Sequence, residues 1–218
     1  MIEILFSPFR KDSRKQYSHN QLDDLLSRFR KNENRLLEIK INELITIFDQ
    51  LSKDWQSKDS ALYSMFLKHN IGFLIGWLKK KNIREILSSS IIDIDVLDKP
   101  TQIGKKRLYA APKGIVVHWI AGNVPLLGIL SLFQALLTKN KSIVKVPKTF
   151  KHVLPKIVED IASKSFKVGK KSIKGSDIVN SILIVYADKS DSLAQSIFSK
   201  YADVRYAWGG REAIENII

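Results

Sequence analysis

Three short constellations in the second half of the sequence carry residue types suited to holding an anion and a developing negative charge. Asn123 stands in the turn Ala121-Gly122-Asn123-Val124-Pro125. An amide there can cap a helix opening at Pro125, or donate to an oxyanion. Lys145 and Lys148 bracket Val146-Pro147, and paired ammonium groups attract phosphate. Gly209 and Gly210 precede Arg211, and a glycine pair opening a helix lets a phosphate approach backbone N–H groups. Each constellation alone also reads as ordinary structure: a helix cap, a surface lysine, a tight turn. There is no G-x-G-x-x-G fingerprint and no Walker lysine motif. His118 falls inside an apolar run and reads as a packed histidine, and Trp119 and Trp208 read as core aromatics.

Composition removes several chemistries. The sequence has no cysteine, which excludes disulfides, thiolate metal sites and a thiol nucleophile, and fits a cytoplasmic protein. No Ser–His–Asp set and no paired-carboxylate arrangement takes the nucleophile's place. The 36 Lys and Arg exceed the 22 Asp and Glu, for a net charge of +14. Such an excess suits nucleic acid, an anionic surface or anionic small molecules. The lysines are scattered, and no nucleic-acid-binding motif accompanies them, so nucleic acid is not the expected partner. A basic module for nucleic acid or an anionic surface remains the alternative reading.

The elements that must position these residues follow from periodicity. Up to about Ser90 the pattern reads as helices. Asn20 is the expected cap of one that buries Leu22, Leu25, Leu26 and Phe29, and a second aligns Leu37, Ile41, Leu44, Phe48 and Leu51. The polar stretch from Asp98 to Arg107 reads as a joint, dividing a mainly helical region, 1–107, from a nucleotide-binding domain, 108–218. Beyond it, strands are expected at Gly114–Ile120, Ser142–Val146, Ile182–Tyr186 and Val204–Ala207. Helices are expected between them at Pro125–Leu137, Phe150–Lys164 and Asp191–Lys200. This alternation predicts an α/β fold with a doubly wound, mostly parallel sheet, whose ligands meet the loops after the strands. The segment from Ser165 to Asn180 reads as a mobile basic loop. The uncharged run from Gly114 to Thr138 is long enough for a membrane span. The Gly122-Asn123-Val124-Pro125 break divides it into a buried strand and a buried helix, so no span is expected. The first residues place apolar before charged positions, the reverse of a secretory signal.

Taken together, the stretch GIVVHWIAGNVPLLGILSLFQALLTKNKSIVKVP resembles the aldehyde dehydrogenase superfamily. The closer likeness is to the LuxC-type acyl-CoA reductases, which supply fatty aldehyde for bacterial bioluminescence. It rests on Gly72-Phe73-Leu74, Pro112-Lys113-Gly114 with His118 and the Asn123 turn, Asn140 to Lys145, and Ala202-Asp203 to Gly209-Gly210. The resemblance implies an aldehyde-dehydrogenase-like cofactor domain. In it Asn123 aids the oxyanion of a thioester intermediate, Lys145 reaches the adenosine ribose, and Gly209 and Gly210 lie beneath the pyrophosphate. Relatives that prefer NAD often carry Glu at the position of Lys148, so the resemblance implies NADPH. It implies a fatty acyl-CoA or acyl-protein thioester as substrate, with a homo-oligomer or partner subunit possible. The family's catalytic cysteine lies downstream of the glycine turn and has no counterpart here. The expectation is therefore an incomplete cofactor-binding portion, inactive by itself.

Overall fold

The computed structural model describes residues 1–9 and 12–208. Two strands open the chain, β1 (Ile2–Phe6) and β2 (Lys15–Tyr17), followed by α1 (His19–Lys31), α2 (Ile41–Gln56), α3 (Tyr63–Lys68), α4 (Phe73–Trp77) and α5 (Lys80–Ser90). A hairpin of β3 (Thr101–Ile103) and β4 (Lys106–Leu108) leads into β5 (Ile115–Trp119), α6 (Pro125–Leu137) and β6 (Lys141–Lys145). Then come α7 (Leu154–Ser163), β7 (Ser165–Val168), β8 (Lys171–Lys174), α8 (Gly175–Val179), β9 (Ile182–Ala187), α9 (Ser192–Tyr201) and β10 (Val204–Ala207).

The central sheet has the order β10-β5-β6-β9-β1-β2. Its first four strands are mutually parallel, while β1 and β2 close one edge in antiparallel pairing. Successive side chains of a strand point to opposite faces, and both faces here are covered. Ile143 and Val185 join a core with Leu22 and Phe29 of α1 and Phe198 of α9. Val144 and Ile184 join a larger one with Phe48 of α2, Phe133 of α6 and Ile157 of α7. The mixed α/β class and mostly parallel sheet expected from the alternation are present. β5, β6 and β9 follow one another across the sheet, whereas β10 returns to the far side of β5. The order therefore reverses between β5 and β10, the place where open α/β sheets bind ligands.

The beginning of the chain differs from expectation. Ile2 and Ile4 alternate with Glu3 and bury toward α1, so Ile2–Phe6 forms a strand of the central sheet. Five residues at a chain start give too short a pattern to separate from its helical neighbours. The cap of α1 is Ser18, whose hydroxyl accepts from Gln21 N, while Asn20 lies within the helix. The segment from Ser165 to Asn180, expected as a mobile loop, is the β7–β8 hairpin followed by α8. Phe166 anchors the hairpin in the core, and the Lys171 ammonium reaches Glu43 of α2 at 2.8 Å. Gly175 follows because a side chain there would collide with the Ile161 carbonyl of α7. Its lysines concealed the hairpin, since Phe166, Val168 and Ile173 alone mark an inward face.

The uncharged run from Gly114 to Thr138 divides as expected into β5, the Asn123 turn and α6. Among the described residues no helix is long and apolar enough to cross a membrane.

Candidate functional site

The motif residues separate onto opposite ends of the sheet. At its amino edge three of them hold β5 in place. Gly114 has φ +122°, and a side chain there would collide with the carboxylate of Asp203. Asp203 Oδ2 accepts from Ile115 N at 2.7 Å, while Oδ1 receives Arg30 of α1. Asn140 Oδ1 accepts from Lys113 N at 2.7 Å and from Gly114 N at 3.1 Å. Asn140, Gly114 and Asp203 thus fix where the first parallel strand begins, a role the sequence alone left unread.

Lys141, the first residue of β6, is also structural. Its ammonium donates to the carbonyls of Phe29, Arg30 and Asn32, closing the carboxyl end of α1, and lies over the Phe29 ring. A cation there meets the negative end of the helix dipole. Burial, with the Arg30 charge beside it, pushes the Lys141 ammonium down to about 8.

His118 is fully buried in the middle of β5. Its Nδ1 lies 2.8 Å from Ser131 Oγ, and that hydroxyl donates to the Gly128 carbonyl. Ser131 Oγ must then accept from the ring, which puts the proton on Nδ1 and leaves Nε2 to accept from Ser142 Oγ at 3.2 Å. Burial pushes the imidazole down to about 3. A ring so satisfied is the packed histidine expected from its place in the strand. Trp119 is likewise core, donating from Nε1 to Gln195 of α9 at 2.8 Å.

The carboxyl edge carries the candidate site. There the register sets Ala207, Trp119, Lys145 and Val185 side by side across β10, β5, β6 and β9. Trp208 N donates to the Trp119 carbonyl at 3.1 Å, extending the β10–β5 pairing to the switch point. Trp208 Nε1 is buried with no hydrogen-bond partner among the described residues. An orphaned donor of this kind calls for a ligand or water.

Asn123 is exposed on the turn that leaves β5. The cap of α6 is Val124, with no side-chain cap hydrogen bond. Asn123 therefore does not cap the helix. Pro125 takes the first helical position, so the cap falls on Val124, and the Asn123 amide stands one residue too early. The same offset leaves that amide free to donate elsewhere.

Lys145 is half-buried at the end of β6, on the face where Ile143 meets α1 and α9. It has no hydrogen-bond or ion-pair partner among the described residues. Burial holds its ammonium below the usual lysine range, with the Asp188 charge acting in the opposite sense. Asp188 follows β9 and accepts from Ser190 N and Ser190 Oγ. A half-desolvated cation without a bonded partner suits an anionic or hydroxyl-bearing ligand. Lys148 lies exposed in a short turn of 3₁₀ helix, Lys148–Phe150. Gly209 and Gly210 lie outside the described residues. Asn123, Lys145 and Trp208 thus gather at the carboxyl edge on either side of the strand-order reversal.

Comparison with known proteins gives this arrangement a setting. A family model described as acyl-CoA reductase (LuxC) matches residues 36–218. The long-chain acyl-protein thioester reductase of Aliivibrio fischeri is 29% identical over 196 residues, covering 82% of this chain and 39% of that protein. Long-chain acyl-protein thioester reductase 2 of Photobacterium leiognathi is 28% identical over 195 residues, with the same two coverages of 82% and 39%. The long-chain acyl-protein thioester reductase of Vibrio harveyi is 26% identical over 201 residues, covering 84% of this chain and 40% of that protein. The chain spans about two fifths of the length of the curated relatives it matches.

Proposed function

This chain belongs to the acyl-CoA reductase (LuxC) family, and we propose that it forms the cofactor-binding part of a reductase converting a fatty acyl thioester to the aldehyde with NADPH. The single observation that carries the reading is Lys145. It is a half-buried ammonium without a bonded partner among the described residues, at the carboxyl end of a parallel strand beside the strand-order reversal. The orphaned Nε1 of Trp208, which follows β10 two strands away, fits a polar ligand at the same carboxyl edge. On this reading residues 108–218 supply the nucleotide-binding domain.

Within it, Lys145 binds the ribose hydroxyls of the cofactor, and Lys148 offers a second cation to the 2′-phosphate that distinguishes NADPH from NADH. Gly209 and Gly210 are assigned to the pyrophosphate, where backbone N–H groups can approach it closely. When bound, the reduced nicotinamide supplies hydride to the acyl carbon. Asn123 donates its side-chain N–H to the thioester oxygen as charge develops on it. Its freedom from capping duty supports that assignment. The family resemblance places the acyl group on a cysteine, and with no cysteine in the sequence these residues do not themselves supply the nucleophile.

Titration of the chain with NADPH, followed by nicotinamide fluorescence, tests the proposal. Lys145→Ala is expected to weaken binding by about tenfold, the loss of one charge-assisted hydrogen bond. Equal affinity in the two proteins would remove Lys145 from the site and the proposal with it.

A further inference from the structure

On the other face of the sheet from Lys145, a cavity of 480 Å³ opens between α3 and the segment leading into α7. Lys68, His69, Thr149, His152 and Lys156 line it, and no carboxylate does so among the described residues. Leu62 and Val153 form an apolar floor continuous with the core. Lys68, His152 and Lys156 have no hydrogen-bond or ion-pair partner among the described residues. His69 is held by edge-on packing against Phe150, with ring centroids 6.1 Å apart.

Some lysines elsewhere meet a carboxylate, as Lys53 does Asp49, Lys171 does Glu43 and Lys200 does Asp23. Two lysines left unpaired in one concavity repel each other, and an anion placed between them removes that cost. The apolar floor gives a flat ring somewhere to lie. The cavity also adjoins the Asn123 turn, since a Cβ on Gly122 would stand 4.0 Å from Thr149 Oγ1.

We propose that this cleft binds an adenosine bisphosphate group, with Lys68 and Lys156 clamping the phosphates, Thr149 donating to one of them and the apolar floor receiving the base. The assignment rests on the reading that the chain handles such nucleotides. Two ligands carry the group, an acyl-CoA with its phosphate on the 3′ oxygen and NADPH with its phosphate on the 2′ oxygen. The position across the sheet from Lys145, next to the Asn123 turn, favours the thioester as its source.

The experiment is calorimetric titration of the chain with 3′,5′-ADP, 2′,5′-ADP and adenosine, in wild type and in a Lys68→Glu/Lys156→Glu variant whose folding is checked by circular dichroism. Both positions are exposed, so the fold is expected to survive the change. The bisphosphate is expected to bind more tightly than adenosine and to lose at least about tenfold in the variant. Among the affinities lost in the Lys68→Glu/Lys156→Glu variant, a larger loss for 3′,5′-ADP identifies the thioester as the source, whereas a larger loss for 2′,5′-ADP puts the cofactor's 2′-phosphate in the cleft and takes it away from Lys148. Adenosine binding as tightly as the bisphosphates, no binding of either bisphosphate, or unchanged affinity in the variant overturns the proposal. A Lys145→Ala control separates this from the cofactor site. NADPH affinity lost there, with bisphosphate affinity indifferent to Lys68 and Lys156, removes the cleft and keeps the cofactor reading. The reverse pattern removes the cofactor site and keeps the cleft.

Discussion

The carboxylate of Asp203 occupies the space that a side chain on Gly114 would need, and the two residues together set the first hydrogen bond of β5. Gly114→Ala must both adopt a φ that L residues rarely take and displace a carboxylate tied to Ile115 N. The expected cost is about 2–4 kcal/mol, read as a lower denaturation midpoint at unchanged m-value. In the double variant Gly114→Ala/Asp203→Ala the two losses are expected to add to less than their sum, because the collision is gone. Strict additivity would show that the two side chains do not share the space.

Lys139 and Asp98 form an ion pair with side chains only 4% and 15% exposed. Asp98 also accepts from Ile41 N at 3.0 Å, so it caps α2 from across the chain. Lys139→Ala leaves that carboxylate buried beside one backbone donor, and the expected loss is about 3–5 kcal/mol. Asp98→Asn keeps an acceptor for Ile41 but strands the more deeply buried Lys139 ammonium, so a loss of similar size is expected, which thermal or urea unfolding of the two variants can check.

His118 makes stability depend on pH. Unfolded, the ring takes up a proton as pH falls through its ordinary value of 6.5, whereas the fold holds it neutral down to about 3. Its contribution is fully present above pH 6.5 and is lost as pH falls toward 3, at up to about 1.4 kcal/mol per pH unit. His118→Gln removes the titrating group, so its stability is expected to fall less steeply than wild type over that window. Parallel profiles for the two proteins would contradict a buried neutral ring.

Lys148 tests cofactor preference apart from cofactor binding. A carboxylate at its position repels a 2′-phosphate and can accept from a ribose hydroxyl. Lys148→Glu is expected to weaken NADPH by about tenfold or more while leaving NADH unchanged or tighter. An unaltered ratio of the two affinities would assign the 2′-phosphate to other residues.

The parallel half of the fold was legible because its strands are apolar throughout and its helices return at regular intervals. Pro125–Leu137 and Val204–Ala207 coincide with their expected limits. Ile2–Phe6 was not, since pairing with β9 is fixed by contacts from the other end of the chain, which no local window contains. The lysine-rich hairpin at Ser165–Lys174 was hidden by the same physics: few of its residues face inward, so its order comes from tertiary contacts with α2.

For the site, residue type singled out Asn123 and Lys145, and the reading of Asn123 as a cap was off by one position. Gly114, Asn140 and Asp203 belonged to the same motif, yet their work is at the amino edge, which spacing alone could not separate from chemistry. Lys68 and Lys156 carried no local signal, because α3 and α7 come together only in the fold.

The strand that opens the chain finds its main partner close to the other end, Ile2 lying opposite Ala187. During synthesis Ile2–Phe6 leaves the ribosome long before β9 exists, so an apolar strand waits without its template. Pairing of β1 with β9 then waits until Ile182–Ala187 has been made. A nascent protein arrested before β9 is expected to keep this segment protease-sensitive and attractive to chaperones, whatever its α1 and α2 have already formed.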